Sequence, residues 1–122
     1  MRKVYIFFLM ALLPAAVMAN SIDNAEQLFP TVLKVTVLDD IGNPVQGATV
    51  TLYNNETDYY NNENPAYDSI ETNANGEAKF KKIDAKRYLI DVQKGDMSND
   101  GGGIETQHLE KGKVNRIRVI IE

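Results

Sequence analysis

Apolar residues recur at every second position along much of this chain, and this period of two constrains its fold more than any other feature. The pattern is typical of β-strands that bury one face and expose the other to water. Short runs carry it at 31–38, 48–54, 69–72, 77–83, 87–93, 104–109 and 114–122. Gly, Asn and Asp separate the runs, most clearly at Asn73-Ala74-Asn75-Gly76, where Asn-Gly favours a tight hairpin. The sequence therefore predicts an all-β protein, an antiparallel β-sandwich of about seven strands.

The inward-facing residues of these runs predict one hydrophobic core between two stacked sheets. We expect it to contain Val35, Val37, Val50, Leu52, Phe80, Tyr88, Ile90, Val92, Ile117 and Val119. Alternate positions face outward, so Arg116 and Arg118 share one face of the last strand. No segment has a convincing helical period. The chain has 122 residues and no cysteine, so we expect one domain stabilised by core packing and strand pairing alone.

The first 19 residues have the features of a cleaved signal peptide. Arg2 and Lys3 precede an apolar stretch at 4–13, and Val17-Met18-Ala19 fits the small-x-small pattern of signal peptidase sites. The apolar stretch is shorter than the ~20 residues of a membrane-spanning helix. We therefore expect export, with cleavage after Ala19 and no stable insertion into the membrane.

The remainder divides into a polar lead-in at 20–30 and the folded domain at 31–122. Loss of residues 1–19 lowers Lys+Arg from 13 to 11 and leaves Asp+Glu at 17, so the mature chain has a net charge near −6. This balance disfavours nucleic acid and anionic lipid as partners. Without cysteine the protein cannot be a bacterial lipoprotein, and the lack of disulfides favours a bacterial protein of the periplasm or the medium.

Tyrosines in a long polar loop are the strongest candidates for a binding surface. Tyr59, Tyr60 and Tyr67 lie in the Asn-rich segment 54–68, which is long for a connection in a compact domain. Aromatic faces beside amide groups bind sugars, and tyrosine is also frequent at protein interfaces. The alternative is a solvated loop whose tyrosines pack on their own sheet.

The sequence contains few residues of the kinds that act in catalysis or bind metal ions. Asp96, Asn99 and Asp100 supply oxygen ligands in a Gly-rich loop, which makes a weak calcium candidate without the spacing of an EF-hand. His108 is the single histidine, and no Gly-x-Ser-x-Gly motif accompanies it. We therefore expect no catalytic residues, no zinc site and no cofactor.

Three motifs resemble those of carboxypeptidase regulatory-like domains. The first reads Val37-x-Asp39-x-x-Gly42-Asn43-Pro44-Val45-x-Gly47-Ala48-x-Val50-x-Leu52. The second is the Thr72-x-x-x-Gly76 turn before Phe80, and the third is Ile83-Asp84-Ala85-Lys86-Arg87-Tyr88, where the family usually has Gly at the position of Lys86. The resemblance implies a prealbumin-like (transthyretin-like) β-sandwich over nearly all of the mature chain. It also implies an accessory, stalk or binding role rather than catalysis.

These observations favour a non-catalytic exported module that binds another protein or a polysaccharide of the cell envelope. One alternative is a carbohydrate-binding module that uses the 54–68 loop. Another is a hydrolase of the transthyretin-related kind, which acts on hydroxyisourate and relies on several His and Arg residues and a Tyr-Arg-Gly-Ser-type ending. The single histidine and the terminal Val119-Ile120-Ile121-Glu122 disfavour this enzyme.

Overall fold

The computed structural model describes residues 29–122, and the predicted signal peptide and most of the lead-in lie outside this range. Seven strands and one short helix form this part of the chain. The strands are β1 (Val32–Leu38), β2 (Thr49–Tyr53), β3 (Ile70–Glu71), β4 (Glu77–Lys81), β5 (Leu89–Lys94), β6 (Met97–Ser98) and β7 (Val114–Ile120). The helix, α1 (Glu56–Asn61), lies between β2 and β3.

Two sheets build a β-sandwich, as predicted. Sheet A has the order β4-β1-β7, and sheet B has the order β3-β2-β5-β6. All neighbours in sheet B are antiparallel. In sheet A, β1 is antiparallel to β4 and parallel to β7, so the sandwich is not purely antiparallel as expected. Strand β1 shows the same alternation of buried and more exposed residues toward its parallel and its antiparallel neighbour. The alternation therefore does not reveal whether two paired strands run parallel or antiparallel.

The predicted core residues face each other between the sheets. Nine of the ten are buried, and Ile117 is partly buried against them. Buried polar groups are also satisfied: the Thr72 hydroxyl accepts from the Ala48 amide (2.9 Å) and donates to the Val45 carbonyl (2.6 Å). No buried side-chain N or O atom between residues 29 and 122 lacks a hydrogen-bond partner. The core therefore combines dry apolar packing with fully paired polar groups.

The Asn73–Gly76 turn does not close a hairpin, in contrast to the prediction. It leads from β3 in sheet B to β4 in sheet A. Asn73 Oδ1 accepts hydrogen bonds from the amides of Asn75 and Glu77, and Gly76 has a φ of +74°. Of the Asn75-Gly76 pair only Gly76 has a positive φ. The local sequence fixes the reversal of the chain but not the sheet that each flanking strand joins.

Two further elements differ from expectation. Segment 104–109 was predicted as a strand but contributes only an isolated bridge between Glu105 and Leu89. The helix α1 was not expected, because six residues are too few to show a helical period. No helix within residues 29–122 has the length and apolar character needed to cross a membrane.

Candidate functional site

A cleft of about 380 Å³ lies on the outer side of sheet B. Three parts of the chain line it: helix α1 and its end, strand β5, and the loop after β6. We call it the tyrosine–aspartate cleft, and its lining residues are Tyr59, Tyr60, Asn62, Asp91, Gln93, Asp100 and Ile104. It thus brings together residues from both loops that the sequence marked as candidates.

Helix α1 is short but well capped, and it fixes the two tyrosines. Asn55 is the N-cap, with its Oδ1 accepting from the Asp58 amide at 2.8 Å. The helix ends at Asn62, which adopts a left-handed conformation with φ 53° and ψ 43°. Asparagine tolerates this conformation better than most residues, so the chain can turn back toward the sheet here. Tyr59 and Tyr60 lie in the last turn and therefore reach the cleft together.

The alternation of strand β5 places the acidic and amide groups of the cleft. Ile90 and Val92 point into the core, so Asp91 and Gln93 point outward on the same face. Gln93 Nε2 donates to Asp91 Oδ1 at 3.3 Å. The neighbouring Asp100 comes from the loop after β6, which the side chain of Asn99 holds against the same strand.

Asn99 is only 1% exposed and forms backbone-like pairing with β5. Its Oδ1 accepts from the Val92 amide (3.1 Å), and its Nδ2 donates to the Ile90 carbonyl (2.8 Å). These bonds continue the edge of the strand beyond β6 and hold the start of the loop. Asp100 follows directly, so its position at the cleft depends on Asn99.

The tyrosine rings form an edge-to-face series from the sheet to solvent. Tyr53 and Tyr59 have centroids 5.8 Å apart with an interplanar angle of 89°, and Tyr59 and Tyr60 have centroids 5.1 Å apart at 84°. Tyr53 and Tyr59 are 5% and 8% exposed, whereas Tyr60 is 68% exposed. The inner rings support the third, which presents an aromatic surface at the mouth of the cleft.

Negative charge dominates the electrostatics of the cleft. Burial raises the pKa of Asp91, and the charge of Asp100 raises it further, while the hydrogen bond from Gln93 lowers it. Burial also raises the pKa of Tyr59, and the carboxylates of Asp100 and Asp91 add to this effect. The lining has no Lys, Arg or His, and neither carboxylate has an ion pair with another residue of the 29–122 segment. The cleft is therefore suited to a cationic or hydrogen-bond-donating ligand.

Tyr67, the third predicted tyrosine, lies apart from this cleft. Its hydroxyl is 3.2 Å from that of Tyr88 and accepts from the Asp84 amide at 3.0 Å. Tyr88 in turn donates to the Asp84 carbonyl at 2.6 Å, and burial raises the pKa of Tyr88. Tyr67 thus ties the 54–68 segment to the main core. Of the three predicted tyrosines, the structure therefore brings Tyr59 and Tyr60 together and places Tyr67 elsewhere.

The calcium candidate stays a prediction, carried by fewer groups than the sequence suggested. Asp96 and Asp100 are exposed, but the amide of Asn99 is buried and bonded on both sides to β5. The described residues contain no group of three or more His, Cys, Asp or Glu side chains that could hold a metal ion. His108 is exposed, with Nδ1 3.1 Å from the Leu109 carbonyl oxygen.

Comparison with protein families identifies the domain type. Residues 29–119, most of the chain, match the model for DR_A0283-like, Ig-like domains. The chain belongs to the DR_A0283-like family of Ig-like domains. The match covers strands β1 to β6, most of β7 and every residue that lines the cleft, so the cleft lies within the DR_A0283-like domain. It does not bear out the finer resemblance to carboxypeptidase regulatory-like domains. No curated protein matches the chain.

Solved structures that resemble this DR_A0283-like domain support its fold. The TIE protein of Bacillus anthracis superimposes with a TM-score of 0.56 at 20% identity, over 75% of this chain and 16% of that one. Chlorocatechol 1,2-dioxygenase from Pseudomonas putida gives a TM-score of 0.50 at 15% identity, over 76% of this chain and 60% of that one. The domain thus spans less than two thirds of either protein. At these identities the likeness establishes the sandwich and nothing about activity.

Sequence reasoning did not name four of the seven lining residues as site candidates: Asn62, Asp91, Gln93 and Ile104. The signal for Asp91 was present, since a lone acid between Ile90 and Val92 must lie on the outer face of a strand. Its proximity to Tyr59 was not readable, because it depends on a helix that the pattern did not reveal. For Ile104 the alternation itself was misleading, since it predicted a strand there.

Proposed function

We propose that this domain is a non-catalytic, exported binding module whose tyrosine–aspartate cleft holds a basic segment of another envelope protein. The observation that carries the proposal is the pair Asp91 and Asp100, two carboxylates in one cleft that form no ion pair with any residue of the 29–122 segment. A lysine or arginine side chain from a partner would supply the missing counter-charge. The exposed Tyr60 ring would add a cation–π contact beside it.

Supporting this reading, the cleft has the anatomy of a small recognition site. Buried Tyr53 and Tyr59 fix the position of the exposed Tyr60. Asn62 and Gln93 add amide groups at the rim, where they can pair with a partner backbone. A rigid aromatic centre with polar groups around it is the usual arrangement of energetically important interface residues.

Export and location belong to the same proposal. They rest on the sequence of residues 1–19 and on the cut expected after Ala19. The finer likeness to carboxypeptidase regulatory-like domains, which serve as accessory modules, rests on the motifs from Val37 to Leu52 and from Thr72 to Gly76 and points the same way. A mature N-terminus at Asn20, read from protein isolated from its native cells, is the expected result.

The cleft proposal is tested by titrating the protein with a labelled Lys- and Arg-rich peptide and with an acidic peptide of equal length, using fluorescence anisotropy. We expect binding of the basic peptide alone, weakening as salt is raised. The double variant Tyr60→Ala with Asp100→Asn should lose most of it. Asp40→Asn, which removes an exposed acid in the β1–β2 connection, is the matched control and should leave binding unchanged.

A neutral carbohydrate is the second candidate ligand, because Tyr60 is 68% exposed beside the amides of Asn62 and Gln93. Tyrosine faces with amide and carboxylate acceptors also suit sugar hydroxyls. Neutral oligosaccharides distinguish the two: salt-independent binding that Tyr60→Ala removes and Asp100→Asn spares would favour the sugar and contradict the basic peptide.

A further inference from the structure

The outer face of sheet A is strongly basic although the chain as a whole is acidic. Its outward positions hold five cations, Lys34, Lys79, Lys81, Arg116 and Arg118, and one acid, Glu77. The complete sequence has a net charge of −4. This face therefore has a local excess of positive charge, and it lies opposite the face that carries the tyrosine–aspartate cleft.

The register of the sheet places like charges directly opposite each other. Lys34 on β1 is paired with Lys79 on β4 and with Arg116 on β7. Neighbouring strands are ~4.8 Å apart, and like charges at opposed positions destabilise a sheet. This arrangement is unfavourable for folding and calls for another explanation.

Protection of sheet edges explains only part of this pattern, because four of the five cations lie on edge strands and the fifth does not. Lysine and arginine on edge strands prevent edge-to-edge aggregation, and β4 and β7 are the edges of sheet A. Lys34, however, lies on the central strand β1. Its Nζ is 2.6 Å from Glu77 Oε2, and this pair neutralises one of the five cations.

The other four cations are available to a ligand. Lys79, Lys81, Arg116 and Arg118 are exposed, and none has an ion pair with a residue in the described part of the chain. A groove of about 340 Å³ lies on this face, lined by Lys34, Thr36, Arg116, Ile117 and Arg118. The face thus offers a row of charges beside a shallow channel.

We propose that this basic face binds an anionic polysaccharide that carries carboxylate or sulfate groups. Strands β1 and β7 have seven residues each, and at ~3.3 Å per residue they form a surface roughly 23 Å long. An extended polymer with regularly spaced negative charges complements such a surface along its whole length. Thr36 and Glu77 between the cations can accept hydrogen bonds from sugar hydroxyls.

Nucleic acid and lipid fit the face less well. Its outward positions include no aromatic side chain on which bases could stack. Its exposed apolar residues, Val114 and Ile120, lie at opposite ends of β7 and do not form a surface that would insert into a bilayer.

The test is calorimetric titration of the protein with a size-defined sulfated oligosaccharide, with neutral dextran of equal length as the control ligand. Arg116→Gln with Arg118→Gln should weaken binding at least about tenfold, since two charge-assisted contacts are lost. Lys82→Gln with Arg87→Gln removes the same charge elsewhere and should change affinity by less than about twofold. Lys79→Thr should raise the melting temperature and still weaken binding, which a purely structural role for this lysine would not produce.

Equal weakening by the two pairs of substitutions would overturn the proposal, as would an absence of binding to the sulfated oligosaccharide. Tighter binding to anionic vesicles or to duplex DNA would also overturn it. So would salt-dependent self-association that accounts for the calorimetric signal, because the face would then bind a second copy of the chain. The cleft variant Tyr60→Ala with Asp100→Asn should bind the oligosaccharide normally, so failure here is distinguishable from failure of the cleft proposal.

Discussion

The side-chain oxygen of Asn99 accepts a hydrogen bond from the backbone amide of Val92 across 3.1 Å, in a site that is 1% exposed. The same side chain donates to the Ile90 carbonyl. One asparagine side chain thus forms the two hydrogen bonds that a neighbouring strand would otherwise form with β5. The loop that carries Asp100 begins at this residue. Asn99 thus contributes both to the stability of the domain and to the position of Asp100 in the candidate site.

Replacing Asn99 with Ala should leave the Val92 amide and the Ile90 carbonyl without these partners. An unsatisfied buried polar group costs about 1–3 kcal/mol, so we expect a loss of roughly 2–4 kcal/mol in the free energy of unfolding. Urea denaturation measures it. A loss under ~0.5 kcal/mol would show that water or a neighbour replaces the amide.

The raised pKa of Asp91 predicts how stability depends on pH. The folded state holds the Asp91 proton more tightly than the unfolded chain, so this group's contribution to stability is present below its ordinary pKa of 3.8 and is lost as pH rises through the folded value. Asp91→Asn should therefore raise the melting temperature at neutral pH and have little effect below about pH 3.8. A lower melting temperature at neutral pH would contradict the sign.

Asp100 should contribute to that raised pKa through its charge. Asp100→Asn removes the repulsion and should move the pKa of Asp91 back toward its ordinary value, as followed by carboxyl carbon NMR. Asp40→Asn is the matched control, because Asp40 is not among the causes of the shift. An unchanged pKa of Asp91 in Asp100→Asn would contradict the prediction, because it would show that the charge of Asp100 does not act on Asp91.

Gly76 occupies a position that a larger residue cannot share. Its φ is +74°, and a β-carbon built there would lie 2.6 Å from the Val37 carbonyl oxygen. Gly76→Ala should therefore destabilise the domain by roughly 2 kcal/mol or more. Gly42 has a similar φ of +89°, but a β-carbon built there would have no atom within 4 Å. Gly42→Ala therefore measures the cost of the backbone conformation alone. Equal losses in both would mean that the contact relaxes freely.

The core prediction is testable at two positions. Leu52 and Phe80 are 0% and 2% exposed, and truncation of either to Ala should cost about 2–5 kcal/mol. Ile41→Ala is the control, since Ile41 is 78% exposed and should cost less than ~0.5 kcal/mol. Small losses at both core positions would refute the register described above.

The sandwich and its core were readable from the sequence because burial of one strand face acts residue by residue. Val35 and Val92, for example, are core residues because they lie on the apolar face of an alternating run, which the sequence shows directly. Strand partners were not readable, since pairing β1 parallel with β7 depends on contacts between opposite ends of the chain. Likewise, Asn73–Gly76 specifies a turn but not that it crosses between sheets.

The candidate site was only half readable for a similar reason. Composition marked Tyr59 and Tyr60, but α1 forms through a cap at Asn55 and a left-handed residue at Asn62, which a search for periodicity overlooks. Tyr67 had the same local context as the other two, yet its hydroxyl bonds inward to Tyr88. Which tyrosines meet Asp91 is decided by packing between distant segments.

The most direct test of the proposed function is the pKa of the Asp91 carboxyl, measured by NMR with and without a saturating Lys- and Arg-rich peptide. A cation in the tyrosine–aspartate cleft favours the charged carboxylate, so the account predicts a clear fall of this pKa when the peptide is bound. The same pKa in the free and the peptide-saturated protein would contradict it, because a basic side chain would then not lie beside Asp91.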